Sequence, residues 1–362
     1  MATVPEGANC KRSFYNCMKT KVENQAVPNS RRHWLPVPLA LLLLSWCVSS
    51  TAAQSCQTSS DMDDAARAAI TSAGLRYFDM AAKGDTASLR QNAILSLASD
   101  FSGIESSIKD HQPELASAQA AVKSLFLLQT EGSTASPHAE FFCGVFGKTG
   151  QTTGSAVFYL NNLPLGKYAV VILDANSPKG KTSFSLILQQ AGSEWKLGGL
   201  YIKSNLVAGH DSDWFMSQAR QYKAKGQLHN AWFFYLQARN MISPLPFMST
   251  AATDKLYDES QGAQPADLPA DGKTADLVVG AVDYKLTAVF PEAVGNDLDL
   301  IVKYQSANAS NTNQAYQTNV AVIKSLVAKY PEIRASFAAV VARAVDSSGR
   351  DYGTLLAMKD IK

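Results

Sequence analysis

The chain has 362 residues, 46% of them apolar and 18% charged, with a formal net charge of +2. That length suits about two domains of ordinary size. The apolar share excludes a disordered chain, and no pattern points to collagen, a coiled coil or a multi-span membrane protein.

The first 53 residues read as a secretory signal. Lys11, Arg12, Lys19, Lys21, Arg31 and Arg32 face only Glu6 and Glu23. An apolar run follows from Trp34 to Val48, centred on Leu41 to Leu44, and then small residues through Thr51-Ala52-Ala53. A basic segment, about 15 apolar residues and a small-residue exit fit a signal peptide cleaved after Ala53. A spanning helix needs about 20 apolar residues, and Pro36 and Pro38 shorten this run, so a retained anchor is the second reading. Met18 is a candidate start inside the long basic region. Six of the 33 basic and two of the 31 acidic residues leave with the segment, so 54–362 keeps 27 basic and 29 acidic, a net −2. The basic excess goes with the signal, and with it the case for a nucleic-acid partner. The expected location is the periplasm or the cell exterior.

Five cysteines become two, Cys56 and Cys143. Three states are open to them. In an oxidising compartment they can pair, which the chain-entropy model credits with about 4–5 kcal/mol before strain. They can remain free thiols. Or Cys56 is lipidated, since it stands where a bacterial lipoprotein carries its lipid, although Ala53-Gln54-Ser55 matches that signal poorly. Lipidation or a retained signal are the routes to a membrane.

Residues 54–60 are polar and read as a linker. The spacing of Ala66, Ala69, Ile70, Ala73, Tyr77 and Phe78 predicts a helix from Asp61, capped by Ser60 or Asp61 and ended at Lys83-Gly84. Asp85 can cap a second helix with Leu89, Ile94 and Leu95, and a third is expected from about Glu114 to Leu128. The period then changes. Residues 139–146, 155–161, 167–174, 182–190 and 195–203 are β-rich and separated by Gly, Asn, Pro and Ser, which predicts an antiparallel meander. Helices followed by a meander make an α+β domain.

The stretch 61–205 resembles the nuclear-transport-factor-2-like superfamily. The resemblance rests on the helix ending Tyr77-Phe78-Asp79-Met80-Ala81-Ala82-Lys83-Gly84-Asp85 and on the late strand pair Phe184 to Leu188 and Trp195-Lys196-Leu197. It implies a curved antiparallel sheet wrapped by helices into a cone that often holds a small apolar ligand. It also implies an Asp and a His inside the cone in members that are dehydratases or isomerases. His111 and His138 fall in helix or loop context, which leaves catalytic residues unknown.

Residues 211–244 return to helical period. Phe215, Ala219, Tyr222, Gly226, Ala231, Tyr235 and Ala238 stand at the spacings of a tetratricopeptide unit, which the segment resembles. The pattern does not repeat, so a single hairpin must pack on something else. Tyr222, Trp232 and Tyr235 are candidates for the hairpin seam or a partner surface. Trp232-Phe233-Phe234-Tyr235 covers all sides of one turn, which predicts burial between two layers as the seam between the cone domain and the rest of the chain, with an exposed aromatic partner site as the second reading. Residues 258–275 have linker composition. Beyond it, strands at 276–290 and 297–305, a helix from about Gln314 to Lys329 and strands at 334–345 and 351–360 make a second, ββαββ domain. The expected organisation is signal 1–53, linker 54–60, cone domain 61–205, helical hairpin 206–257, linker 258–275 and ββαββ domain 276–362.

Catalytic signatures are weak. Gly147-Lys148-Thr149 and Gly180-Lys181-Thr182 echo a phosphate loop, but Phe142 and Ala175 stand where its first glycine is required, so both read as hairpin turns. Ser106-Ser107-Ile108-Lys109 and Lys148-Thr149-Gly150 lack the Ser-Asp-Asn that would join them as a penicillin-binding set. His210-Asp211-Ser212-Asp213 is short of a fourth metal ligand and reads as the cap of the helix starting at Trp214. Asp297 and Asp299 alternate with Leu298 and Leu300, which predicts a solvated face. No cofactor or metal is assigned. The sequence reads as a non-enzymatic binding or scaffold module of the bacterial envelope, with a small apolar ligand or an envelope protein as partner. The alternative is a cone-fold lyase, isomerase or hydrolase of a small apolar substrate, and a purely structural envelope role also fits.

Overall fold

A computed structural model describes residues 53–362 apart from 133, 147–151, 153 and 271. The signal reading and the Gly147-Lys148-Thr149 turn lie outside the described residues. The described chain is α+β, with eight α-helices and three mostly antiparallel sheets.

The expected linker at 54–60 is instead strand β1 (Ala53–Thr58), because β2 offers it a full row of antiparallel partners, Cys56 lying opposite Leu128. Helix α1 (Asp64–Ala82) starts where the Asp63 carboxylate accepts from the Ala66 amide at 2.7 Å. Asp61, expected as the cap, closes the preceding turn, accepting from the Thr58 amide and hydroxyl at 2.9 and 2.6 Å. Helix α2 (Thr86–Gln91) is capped by Asp85. The chain breaks after it because the Ile94 amide donates to Leu197 O, and α3 (Leu95–Ser99) and α4 (Ser102–Leu115) follow.

The helix expected at 114–128 is the largest correction. It ends at Leu115, and 119–131 is strand β2. The segment is rich in Ala and Leu, so local propensity favours helix; eleven cross-strand pairs with β5 override it. The remaining strands of this unit are β3 (Ser136–Cys143), β4 (Ala156–Leu163), β5 (Gly166–Ser177), β6 (Gly180–Ala191) and β7 (Glu194–Ser204). They do not form one meander. One sheet runs β1-β2-β5-β6-β7, and β3 and β4 leave it to form a second sheet with β8 (Met248–Thr250).

The larger sheet is therefore a middle layer. On one face Leu125, Val171, Leu173, Phe184, Leu186 and Leu188 pack against α1–α4, with Phe78 edge-on to Phe184 at 5.2 Å. On the other, Phe126, Leu128, Val170 and Ile172 pack against Phe141, Phe158 and Met248 of the smaller sheet. Gly74 sets the depth of α1, since a Cβ there would lie 2.7 Å from Val171 Cγ1.

Helices α5 (Ser212–Ala224) and α6 (Leu228–Ile242) form the expected hairpin, turning at Gly226 with φ +73°. Asp211 caps α5, accepting from the Trp214 amide at 2.9 Å. The linker expected at 258–275 is partly built. Helix α7 (Ala251–Gln261) runs into it, and Ala263 and Leu268 are buried beyond it.

The C-terminal unit is βββαββ rather than ββαββ. A two-residue turn with Gly280 at φ +64° splits the expected first strand into β9 (Ala275–Val279) and β10 (Val282–Val294). Strand β11 (Asp297–Gln305), helix α8 (Thr312–Lys329), a 3-10 turn at Pro331–Ala335, β12 (Ala339–Val345) and β13 (Asp351–Ala357) complete it. The order is β13-β12-β11-β10-β9, with β11 and β12 parallel across the α8 crossover. The hairpin aromatics do not form a seam with the N-terminal unit. Phe233 and Phe234 meet Phe337 edge-on at 5.8 and 6.1 Å, and the hairpin shares one core with the C-terminal sheet and α8. The segment after the hairpin, with Leu245 and Met248, returns to the N-terminal unit.

Candidate functional site

The interior between α1–α4 and the large sheet is filled. Tyr77, Phe78, Leu89, Phe101 and Phe184 are each at most 6% exposed. The Tyr77 hydroxyl is shared between the main-chain oxygens of Asn92 and Trp195, at 3.0 and 2.8 Å. Among the described residues from Ala53 to Ser204, no Asp, Glu, His, Lys or Arg is buried. The acid–base pair that the cone resemblance implies for enzymes therefore has no counterpart inside.

The histidines are spread over the molecule. His111 Nδ1 lies 2.8 Å from Ser107 O in its own helix, and His138 Nδ1 lies 2.8 Å from Asn161 Oδ1. His210 stacks flat on Trp214 with ring centres 3.6 Å apart. His229 is bracketed by two carboxylates, Nδ1 2.7 Å from Glu332 Oε1 and Nε2 3.0 Å from Asp267 Oδ1. This bracket ties α6, the segment after α7 and the 3-10 turn together. Burial alone would raise the Asp267 carboxyl, but bonds from His229 and Tyr330 and the charge of Lys329 hold it below its usual value. No group of three or more His, Cys, Asp or Glu among the described residues is placed to hold a metal ion.

Cys56 and Cys143 are joined as a disulfide, tying edge strand β1 to the end of β3 in the other sheet. Beside it a cleft of about 580 Å³ is lined by Thr58, Asp61, Arg67, Lys123, Phe126 and Thr152. Both of its cations are engaged. Arg67 donates to Ser59 O and Met62 O and pairs with Asp64, and Lys123 pairs with Asp174 at 3.2 Å.

Tyr222, Trp232 and Tyr235 face inward. Tyr235 is buried, and its hydroxyl donates to Glu259 Oε1 at 2.9 Å. Arg220 donates to both oxygens of Glu259, at 2.7 and 2.8 Å, so three helices meet at one carboxylate. The Arg220 bonds, helped by Tyr235, hold Glu259 down at about 2 against the opposing effect of burial. Burial, with the Glu259 contact added, pushes Tyr235 up to about 12. The Tyr222 hydroxyl accepts from Ser336 Oγ at 3.0 Å, and Trp232 packs on the shared core. These contacts make the three residues internal cement.

The surface that stands out is one face of the C-terminal sheet. Leu298, Leu300, Val302 and Tyr304 of β11 point to the core under α8. The alternate residues Asp299, Ile301 and Lys303 point the other way. Cross-strand pairing carries this face across four strands in rows. Phe290, Ile301, Val341 and Leu355 lie side by side and form an apolar row. None of the four belongs to the hydrophobic clusters of the described chain, although Ile301 is itself buried. Leu355 is 49% exposed, Phe290 and Val341 are half-buried, and Ile301 is 7% exposed. On one side lies the pair Glu292 and Asp299; on the other lie Lys303 and Arg343.

Asp299 corrects the expected solvated pair. Asp297 is exposed, but Asp299, on a central strand, is 2% exposed. Its Oδ1 has no hydrogen-bond partner in the described chain. Burial raises its carboxyl above the usual range and the Asp297 charge adds to that, while a bond from the Ala339 amide opposes it. Sequence alternation places each residue on its face, but the row exists only through strand register. Comparison with protein-family models, with curated proteins and with solved structures yields no match.

Proposed function

We propose that this chain is a non-enzymatic binding or scaffold module of the bacterial envelope, exported by its N-terminal signal, and that it binds through the open face of β10–β13. The observation that carries this reading is the Phe290–Ile301–Val341–Leu355 row, which lies outside the chain's hydrophobic clusters and leaves Leu355 49% exposed. Contiguous apolar surface rimmed by charge marks an interaction site. The filled interior of the N-terminal unit favours a protein partner over a small apolar ligand in a cone. The absence of buried acid–base groups among its described residues works against the lyase, isomerase or hydrolase alternative.

Hydroxyl-radical footprinting tests this. Phe290 and Leu355 are labelled in an intact envelope fraction and in dilute purified protein. Several-fold lower labelling in the envelope is expected, and equal labelling in both removes the reading. Export is checked by intact mass, with a chain beginning at Gln54 expected.

A further inference from the structure

We infer that strand β13 is a self-pairing edge, at which two copies of this chain join their C-terminal sheets antiparallel about a two-fold axis through Thr354, perpendicular to the sheet. The edge is a different surface from the open face and does not depend on it. A bare sheet edge presents a row of free amides and carbonyls, and proteins usually blunt it. In this chain the other edges are blunted. On β7, Leu197 donates to Asn92 O and accepts from the Ile94 amide, each at 2.9 Å. Strand β1 is tied to β3 by the disulfide and by Gln54, whose Oε1 accepts from the Glu140 amide at 2.9 Å. Strand β8 is three residues long and runs straight into α7. On β9 the Asp276 carbonyl accepts from Lys329 Nζ at 3.3 Å. Strand β13 ends its sheet, is seven residues long and contains neither Lys nor Pro.

The ladder fixes which groups of β13 are turned outward. At one end the Asp346 amide donates to Arg350 O, and at the other the Met358 amide donates to Ala338 O. The even-numbered residues therefore bond to β12, and the amides and carbonyls of Asp351, Gly353, Leu355 and Ala357 point away from the sheet. An axis at Thr354 sets Gly353 opposite Leu355 and Asp351 opposite Ala357 of the other copy, so all four outward residues exchange main-chain bonds. An axis at Gly353 or Leu355 would set one end of the strand against Gly349 or Lys359, outside it. The side chains fit the same register. Leu355, 49% exposed, falls beside Gly353, where the nearest atom to a Cβ would be Arg343 Cγ at 3.8 Å, so the space is open. On the other side of the sheet Tyr352 and Leu356, both half-buried against the shared core, pair with each other across the axis, and Thr354 meets Thr354. Aromatic–aliphatic and Thr–Thr pairs are favourable across strands. Asp351, the one charge of the strand, stays on Arg343 of its own chain and meets Ala357, so no like charges are opposed. The strand thus matches its own reversed copy, which is what a two-fold interface requires. Seven residues give about 24 Å of paired strand. That is below the standard interface size, so a dissociation constant of about 100 μM is expected.

Sedimentation equilibrium on the protein as isolated, from about 5 to 500 μM, tests this. The unaltered protein is expected to approach the mass of two chains. Gly353→Pro and Leu355→Pro each remove an outward amide and keep the ladder to β12, a place where an edge strand accepts proline. Each removes two bonds per dimer and is expected to weaken association at least about tenfold, with the urea midpoint of dilute protein unchanged. Val278→Pro, an exposed position on the opposite edge strand β9, is expected to leave association as it is. Unaltered protein that stays monomeric throughout overturns the inference. So do proline variants at 353 and 355 that keep their fold and dimerise as well as the unaltered protein, or loss of the dimer on Val278→Pro. Labelling of Phe290, three strands away from the edge, reports the open face separately.

Discussion

The molecule contains two five-stranded sheets, and they are covered differently. The N-terminal one is a middle layer, with four helices on one face and a three-stranded sheet on the other. The C-terminal one carries α8 and the hairpin on one face and leaves the other without a core. The residues show the same contrast. In β5, Val170, Val171, Ile172 and Leu173 are each at most 1% exposed, so successive residues are buried on opposite sides. In β13, Leu355 is 49% exposed while Thr354 beside it is 7%. A sheet closed on both faces has spent its apolar surface on folding. A sheet closed on one face keeps some of it at the surface.

That contrast can be broken most severely at the disulfide. Replacing Cys143 with Ser, or reducing the bond, is expected to lower stability by up to about 4–5 kcal/mol on the chain-entropy model, read as a fall in the urea midpoint. Loss should be concentrated in the N-terminal unit, which amide exchange resolves by region. Phe184→Ala is next. Its ring is fully buried against Phe78, and a cost of about 3–5 kcal/mol is expected from the same unfolding measurement.

A smaller effect is expected at Glu259. Its carboxyl is held down at about 2 in the folded chain, against an ordinary value near about 4.3 when unfolded. The contribution is therefore fully present above about pH 4.5 and is lost as pH falls toward 2. Arg220 is more than half exposed, so screening cuts the gain to about 1 kcal/mol. Urea midpoints of Glu259→Gln and the unaltered protein should differ at pH 6 and converge near pH 2.5. The smallest effect sharpens the contrast. Leu355→Lys, on the open face, is expected to change single-chain stability by less than about 0.5 kcal/mol in dilute protein, since it touches no core.

The legibility of the sequence follows the range of the interactions. Caps and turns made within four residues, at Asp85, Asp211 and Gly226, are read from local composition. So is the alternation of Leu298, Leu300 and Val302 that gives β11 its two faces. Strand β2 is not legible, because Ala and Leu favour helix and the decision comes from β5, some 45 residues away. Strand β1 is too polar to stand out and is held by pairing and a crosslink. Asp299 is assigned to its face correctly and to solvent wrongly, since alternation gives a side chain's direction and not what covers it. The candidate surface is the extreme case. Its four apolar residues are spread from Phe290 to Leu355, and only the registers of three strand pairs bring them into line.

The small third sheet has a consequence for how the chain can be divided. Its strand β8 is made after the helical hairpin, yet it pairs with β4, Phe158 opposite Met248, and Leu245 fills the core between the sheets. A fragment cut at the apparent boundary near residue 205 would leave the edge of β4 bare and that core short of two side chains. Unpaired edges of this kind recruit other chains. During synthesis the N-terminal unit likewise stays unfinished until residue 250 has emerged. Its folding is tied to the segment that follows it, so the smallest autonomous N-terminal piece of this protein includes the hairpin.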